Sequence, residues 1–398
     1  MQLSSRERMM RALRCEEPDR IPLSFMIYAA LRRRCRDDFD FVERQLDMGL
    51  DATVPLKLPS EGDRVEHGDL PGLPIRYHPD VEVVEWQDED SDGTAVLHKE
   101  YHTPSGVLST AVNRTDDWPY GEHVPLFDDY LCPRSRKFLI EGKQDLEALR
   151  YLLIPPREDD VRSFREESKE RLEFAASHGL LVTGERGIGM DASAWLCGFR
   201  EVAIAAMRRP EFVDQLAKML HEWNCHRMKV FLDAGVDLFI RRGWYEGTDF
   251  WSPRLYRRFI LPYLEREVRM AHSAGASFGY IMTSGSMPLL DMLAETGIDV
   301  LVGVDPIQGK GTDLGSMKRT LQGRVCLWGG VNGFITMETG TESEVVSAAR
   351  EAVDALAPSG GFILSPVDNV RDDSPRTREN VESMIDAWRE LRAYPAHH

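Results

Sequence analysis

The chain alternates between two kinds of pattern. Short runs that are apolar, β-branched or aromatic on both faces recur eight times. They are IPLSFMIY from Ile21, DATVPLKL from Asp51, GLLVTGE from Gly179, VDLFIRR from Val236, ASFGYIM from Ala276, IDVLVGVD from Ile298, RVCLWGG from Arg324 and GFILSP from Gly361. Runs of this kind suit strands covered on both sides, as in an all-parallel sheet. Segments of helical period separate them. Residues 37–49 stop on Gly49, and 157–179 open with acids and stop on Gly179, as the helix dipole prefers. Residues 209–235 place Phe212, Leu216, Leu220, Trp223 and Met228 at near-helical spacing. Residues 252–275 and 374–392 each open on Ser-Pro, a cap followed by a proline at the first helical position. Shorter units fall at 286–297, 312–322 and 341–357. Eight such units predict an α/β fold, a (β/α)8 TIM barrel, since right-handed crossovers leave few other topologies.

One stretch departs from this rhythm. Residues 60–130 contain alternating segments such as VEVVEWQ and TAVLHKEYHT, joined by DEDSDG and TPSG, with Asp92-Gly93 reading as a hairpin turn. They predict a small antiparallel β insertion after the second strand, within one domain spanning 1–398. It either forms a flap over the barrel mouth or stays clear of the substrate.

Composition narrows the partners. Forty-nine basic against 66 acidic residues give a net charge of −17 with no basic stripe, which disfavours nucleic acid and anionic membranes. No apolar run approaches the ~20 residues of a membrane span. The opening MQLSSRERMMRALRC is charged throughout, unlike a signal peptide, and six cysteines stand singly without a CxxC pair. A cytoplasmic protein with reduced thiols is expected.

In a TIM barrel the chemistry sits where strands end. That rule selects Met26 and Tyr28 after the first run, Lys57 after the second, and Glu185 and Arg186 after the third. It selects Arg241, Arg242, Trp244, Tyr245 and Glu246 after the fourth, Tyr280 in the fifth, Asp305 after the sixth, Asn332 after the seventh, and Ser365, Asp368 and Asn369 after the eighth. Glu185, Glu246, Asp305 and Asp368 are candidate acids or bases if burial raises a pKa, and the arginines can clamp carboxylates or phosphates. Tyr245, Tyr280 and Trp244 can wall a flat ligand. The bland alternative is a structural network of these acids and arginines with one another.

Other signals are weaker. His98 and His102 share a strand face but lack a third ligand nearby, and His221 and His226 have a poor ligand spacing and are expected to be solvated. Arg32-Arg33-Arg34 is either an exposed face or an anion attractor. Gly329-Gly330 permits close backbone approach or simply serves a tight turn.

Several segments carry a family likeness: RERMMRALRCEEPDRIPLSF, GVDLFI, SPRLYRRFILPYLEREVRMAHSAG, LLDMLAETGIDVLVGVDP and SPRTRENVESMIDAW. In these residues, across nearly the whole chain, the sequence resembles the uroporphyrinogen decarboxylase-like superfamily, which also holds corrinoid-dependent methyltransferases. The resemblance implies a (β/α)8 barrel, often a homodimer, with a deep cleft. The motifs of both branches are missing. Zinc-dependent methyltransferases carry His-x-Cys-Gly where this chain has Met282-Thr283-Ser284-Gly285, and a late cysteine where it has SPVDN. The decarboxylase signature after the first strand corresponds to Met26-Ile27-Tyr28-Ala29-Ala30, and its pyrrole-binding aspartate falls near Thr53-Val54-Pro55.

The resulting expectation is one-carbon (methyl) transfer on a small substrate, with a corrinoid-carrying partner as a candidate and no standard zinc site. Glu185, Glu246, Tyr245, Tyr280 and Asp305 are the expected catalytic set. Arg186, Arg241, Arg242, Trp244, Asn332, Asp368 and Tyr28 are the expected substrate-binding set. The alternatives are a decarboxylase of another substrate, a non-catalytic ligand- or corrinoid-binding barrel, and an unorthodox metal site drawn from Asp249, His123 or Glu246.

Overall fold

The computed structural model describes residues 2–57 and 73–394. Eleven strands form two sheets among the described residues. In chain order they are β1 (Thr53–Leu56), β2 (Glu82–Glu89), β3 (Ala95–Thr103), β4 (Gly106–Asn113), β5 (Ser135–Lys137) and β6 (Leu181–Gly187). The remaining five are β7 (Leu238–Arg242), β8 (Ser277–Ile281), β9 (Val300–Val304), β10 (Cys326–Asn332) and β11 (Phe362–Val367). The larger sheet has seven strands in the order β1-β6-β7-β8-β9-β10-β11, all parallel.

Seven of the eight predicted runs are therefore strands of this sheet. The first is not. Residues 21–28 stay extended but meet β11 only through isolated bridges, Leu23 to Leu364 and Ile27 to Asn369. Proline at 22 removes a donor, which breaks a continuous ladder at its start. The segment is nonetheless held on both sides. Ser24 N–H donates to the Leu364 carbonyl at 3.0 Å, and Asp51 N–H, just ahead of β1, donates to the Leu23 carbonyl at 2.8 Å.

The sheet's two faces bury different clusters. Met9, Ala12 and Leu13 of the helix Ser5–Leu13 pack with Leu181, Leu238, Val300, Cys326 and Ile363, which lie at or next to the first residues of their strands. This helix covers the N-terminal end of one face. The other face packs against the long helices Glu158–His178, Pro210–Ala234, Leu261–Ser273, Glu342–Leu356 and Pro375–Leu391 in a larger core. The predicted stops hold at Gly49 (φ 88°) and Gly179 (φ 61°), left-handed positions where a side chain is disfavoured, and Gly235 (φ 89°) ends the helix Pro210–Ala234 in the same way. Ser252 and Ser374 cap their helices as expected. Residues 252–275 form two helices, breaking at Ile260, because Pro262 has no N–H for the carbonyl one turn back.

The second sheet is antiparallel, in the order β2-β3-β4-β5, and follows β1 as expected. Asp90 N–H donates to the Thr94 carbonyl at 3.0 Å, and Gly93 takes φ 76° in the hairpin turn. The sheet continues to Lys137, past the expected boundary at 130, while positions 60–72 of that prediction lie outside the described residues. No helix of the described residues is long and apolar enough to cross a membrane.

Candidate active site

A hollow of about 600 Å³, counting the space open to solvent, lies at the C-terminal end of the same sheet face, beyond the part that the N-terminal helix covers. Its wall draws on the extended segment (Phe25, Met26, Ile27), β1 (Thr53), β6 (Glu185), β7 (Ile240, Arg242) and the following Trp244, β8 (Ile281), β9 (Val302) and β10 (Trp328). One hollow touching both β1 and β10 requires a sheet that curls round on itself. Trp328 Nε1 donates to the Ser24 carbonyl at 2.9 Å, which pins the extended segment to β10. Among the described residues of this wall, Glu185 and Arg242 carry charge, and aromatic and aliphatic groups supply most of the rest.

Arg242 is buried and already matched. Its Nη2 lies 3.1 Å from Asp129 Oδ2 and its Nε 3.2 Å from Asp191 Oδ2, while the guanidinium sits over the Trp195 and Trp244 rings at 4.6 and 4.8 Å. Asp191 is fully buried at the start of the helix Asp191–Cys197 and also accepts from the Trp244 and Tyr245 N–H groups at 3.2 and 2.9 Å. Burial pushes its carboxyl up, against the pull of Arg242. Asp129 follows the antiparallel sheet's long loop and accepts from Tyr245 Oη at 2.7 Å and Trp195 Nε1 at 3.1 Å. Neither aspartate is among the residues that the strand-end rule selects. Asp129 lies in a loop beside Asp128 and Asp191 starts a helix, and no spacing pattern marks either.

The remaining candidates do not share one place. Strand alternation turns Arg241 and Tyr280 to the opposite face from Arg242 and Ile281. There they form a buried cluster with Glu246, away from the cavity wall. Arg241 Nη2 donates to Glu246 Oε1 at 2.7 Å, Met190 N–H donates to the same oxygen at 2.5 Å, and Tyr280 Oη donates to Oε2. Burial lifts the Glu246 carboxyl to about 7 despite Arg241 beside it. Burial disfavours charge on Arg241, but Glu246 and Glu267 overcome it and hold the guanidinium protonated. Tyr280 is raised well above its usual value by the same burial and by Glu246. Gly189 passes so close over Arg241 and Glu246 that a Cβ there would overlap both side chains.

Asp305 and Asn332 organise the loops after β9 and β10. Asp305 Oδ1 accepts from the Ile307 and Gln308 N–H groups at 2.8 and 3.0 Å, and Asn332 Nδ2 donates to Asp305 Oδ2 at 2.7 Å. Asn332 Oδ1 caps the following turn through Ile335 N–H. Asp368 takes φ 64° and faces solvent near Arg371. Desolvation, then the like charges of Asp129, Asp305 and Glu338, push its carboxyl up against Arg371. Tyr28 stacks on Phe25 at 4.5 Å and is buried behind the cavity wall, which raises its hydroxyl to about 12. Tyr245 lies edge-on to Phe199, and its hydroxyl is raised by burial and Asp129. The Arg186 backbone belongs to β6; its side chain lies outside what is described.

Where the family resemblance leads one to expect zinc ligands, the residues do not fit a zinc ion. Met282 is buried in the apolar core, and Ser284 Oγ donates to Asp249 Oδ2 at 2.6 Å, with Lys310 Nζ on the other oxygen at 2.9 Å. A thioether, a hydroxyl and a lysine-paired carboxylate are not a zinc donor set. The alternative set of Asp249, His123 and Glu246 is not assembled either, since His123 pairs with Glu85 of β2 at 3.0 Å. His98 and His102 are held by separate carboxylates, Asp88 and Glu100. His221, expected to be solvated, is instead buried against Glu267.

The sequence model of the uroporphyrinogen decarboxylase (URO-D) family matches residues 183–391, which run from β6 through the last long helix and include most of the cavity wall. The chain belongs to the uroporphyrinogen decarboxylase family. Among solved structures, a methyltransferase from Methanosarcina mazei shares 15% identity with this family member. That alignment covers 98% of this chain and 99% of the other with a TM-score of 0.59, a likeness of fold. A B12-independent methionine synthase from Shewanella sp. W3-18-1 overlaps 57% of this chain and 66% of its own at 12% identity and a TM-score of 0.38. No curated protein matches the sequence.

Proposed function

We propose that this URO-D family protein is an enzyme that carries out one-carbon (methyl) transfer on a small substrate seated in the cavity. The carrying observation is the wall itself, a largely apolar, aromatic hollow that among the described residues has one carboxylate, Glu185, and one guanidinium that is already neutralised. In such a reaction the acceptor's lone pair forms the new bond to the methyl carbon and the donor leaves with the old bonding pair. Glu185 carries the proton: it gives one to the departing heteroatom of an alcohol, amine or thioether donor when the acceptor has none, and takes one from a thiol acceptor when transfer runs to a thiol. An apolar wall keeps water from competing for the methyl group. Residues 21–28 take the place of an eighth strand in this reading, so that a single barrel carries the site.

The charge pattern argues against the substrate for which the family is named. A porphyrinogen bearing many carboxylates needs several free cations, and Arg242 meets two aspartates before it meets any ligand. Decarboxylation of a smaller acid is the second reading, because Arg242 is still the one described cation on the wall.

Cob(I)alamin, standing in for a corrinoid-carrying partner, is incubated with the protein and a panel of methanol, methylamines, methyl thioethers and methoxylated aromatics. Methylcobalamin formation that disappears in Glu185→Gln is the expected result. Carbon dioxide release from carboxylic acids, with no methyl transfer to cobalamin or to thiols, would replace this reading with decarboxylation. Tight ligand binding without turnover would leave a binding protein.

A further inference from the structure

His221, Cys225 and Glu267 lie on the outer side of the sheet, behind the Arg241 cluster. His221 and Cys225 stand one turn apart on the helix Pro210–Ala234, and Glu267 faces them from the helix Leu261–Ser273. One nitrogen, one sulfur and one oxygen of the three lie within 4.8 Å of one another. Cys225 Sγ is 3.6 Å from His221 Nε2 and 3.7 Å from Nδ1, and His221 Nδ1 is 2.8 Å from Glu267 Oε1. Metal–ligand bonds of about 2.0–2.3 Å put tetrahedral donors roughly 3.3–3.8 Å apart. The sulfur–nitrogen distances already match, and the His221–Glu267 pair must open by a few tenths of an ångström or more.

We propose that His221, Cys225 and Glu267 form a binding site for a zinc-like divalent cation, with water completing a fourth position.

Two further observations favour a cation here. Glu267 is 1% exposed on its side chain, and its Oε2 faces Arg241 Nε at 3.2 Å as an ion pair without hydrogen-bond geometry, so its acceptor capacity is not used up. A buried carboxylate oxygen left in this way invites a ligand. The second is charge. Arg241 lies between Glu246 at 2.7 Å and Glu267 at 3.2 Å, so one guanidinium faces two buried carboxylates. A divalent ion adds positive charge beside these buried acids. Arg241 opposes the ion through its nearness to Glu267 Oε2, but Glu246 remains to hold it. Cys225 is half-buried, and its neighbours Glu222 and His226 are exposed, which leaves a short path in from solvent. Nitrogen, sulfur and oxygen donors together suit zinc or cobalt rather than magnesium or calcium.

The test uses chelator-treated full-length protein titrated with zinc and cobalt(II). Equilibrium dialysis should find one ion per chain. Cobalt should give the near-ultraviolet sulfur-to-metal charge-transfer band and the visible bands of a tetrahedral site. Cys225→Ser should abolish the charge-transfer band. His221→Ala should weaken binding by about 10–100-fold or more, and His226→Ala should change neither. Circular dichroism confirms that each variant is folded, and the wild-type spectrum decides the matter even if a variant is not. No stoichiometric binding by the wild type, or a thiolate band that survives Cys225→Ser, would overturn the site.

Discussion

Arg241 and Arg242 are consecutive residues of β7 whose side chains lie on opposite faces of the sheet. Arg242 lines the cavity between Asp129 and Asp191, while Arg241 is clamped outside it by Glu246 and Glu267. Removing Arg241 leaves two buried carboxylates without their cation. Arg241→Met is expected to destabilise the fold by about 3–5 kcal/mol, read as a lower urea midpoint. Turnover per folded molecule should stay near wild type, because Arg241 does not touch the cavity. A variant of wild-type stability would mean that the cluster is not what holds β7 to its helices.

The pH dependence of stability follows from Glu246. Its folded carboxyl sits at about 7 against an ordinary value of 4.5, so the fold binds this proton more tightly than the unfolded chain does. The contribution is complete below about 4.5 and is lost as pH rises through about 7. Ionising Glu246 should cost about 3 kcal/mol across that window. Asp191 is raised as well and acts in the same direction. Urea unfolding of the wild type at pH 5 and pH 8 should show the decline, and Glu246→Gln should remove a large part of it. An unchanged slope in Glu246→Gln would assign the decline elsewhere.

Much of this arrangement is legible in the amino-acid order itself. Seven strands and the caps at Gly49, Gly179, Ser252 and Ser374 follow from two-sided apolar runs and from local capping chemistry. The first run misleads because Ile21–Tyr28 has strand composition while Pro22 and its position at the sheet margin leave only isolated bridges. The site is legible as a set of strand ends but not as a geometry. In β7 both faces are buried, so no polar–apolar alternation marks which arginine turns inward. Asp129 and Asp191 reach Arg242 across 113 and 51 residues, a pairing that exists only after the sheet curls. Glu267 meets His221 across 46 residues for the same reason, and the His221–Cys225 spacing alone carries little weight.

Gly189 tests how tightly the outer cluster is packed. A methyl group there would overlap the Arg241 guanidinium and the Glu246 carboxylate, both buried and mutually bonded. Gly189→Ala should cost about 1–3 kcal/mol, the usual penalty for overpacking a buried site, and should lower the melting temperature. A wild-type melting temperature would show that the loop can lift away freely.

Glu185 is half-buried, and its one hydrogen bond among the described side chains comes from Thr183 Oγ1 at 3.0 Å. Removing its charge should therefore leave stability within about 0.5 kcal/mol. As the group that moves the proton on the cavity wall it should matter far more to the reaction. Glu185→Gln is expected to lower kcat by about 10²–10⁴-fold, the range for loss of a general base, with KM changed much less. A kcat within twofold of wild type would remove Glu185 from the chemistry.

Asp129 decides how much of Arg242's charge a ligand can feel. Its side chain is 46% exposed, so breaking the pair with Arg242 should change stability by no more than about 1 kcal/mol. Asp129→Asn removes one of the two described carboxylates, keeping Asp191, from a guanidinium that faces the cavity. Small carboxylates such as acetate and benzoate should then inhibit the variant at several-fold lower concentration than the wild type, while neutral ligands of similar size should bind both alike. Equal inhibition by carboxylates would mean that Asp129 does not screen Arg242, and charge would no longer disfavour a polycarboxylate substrate.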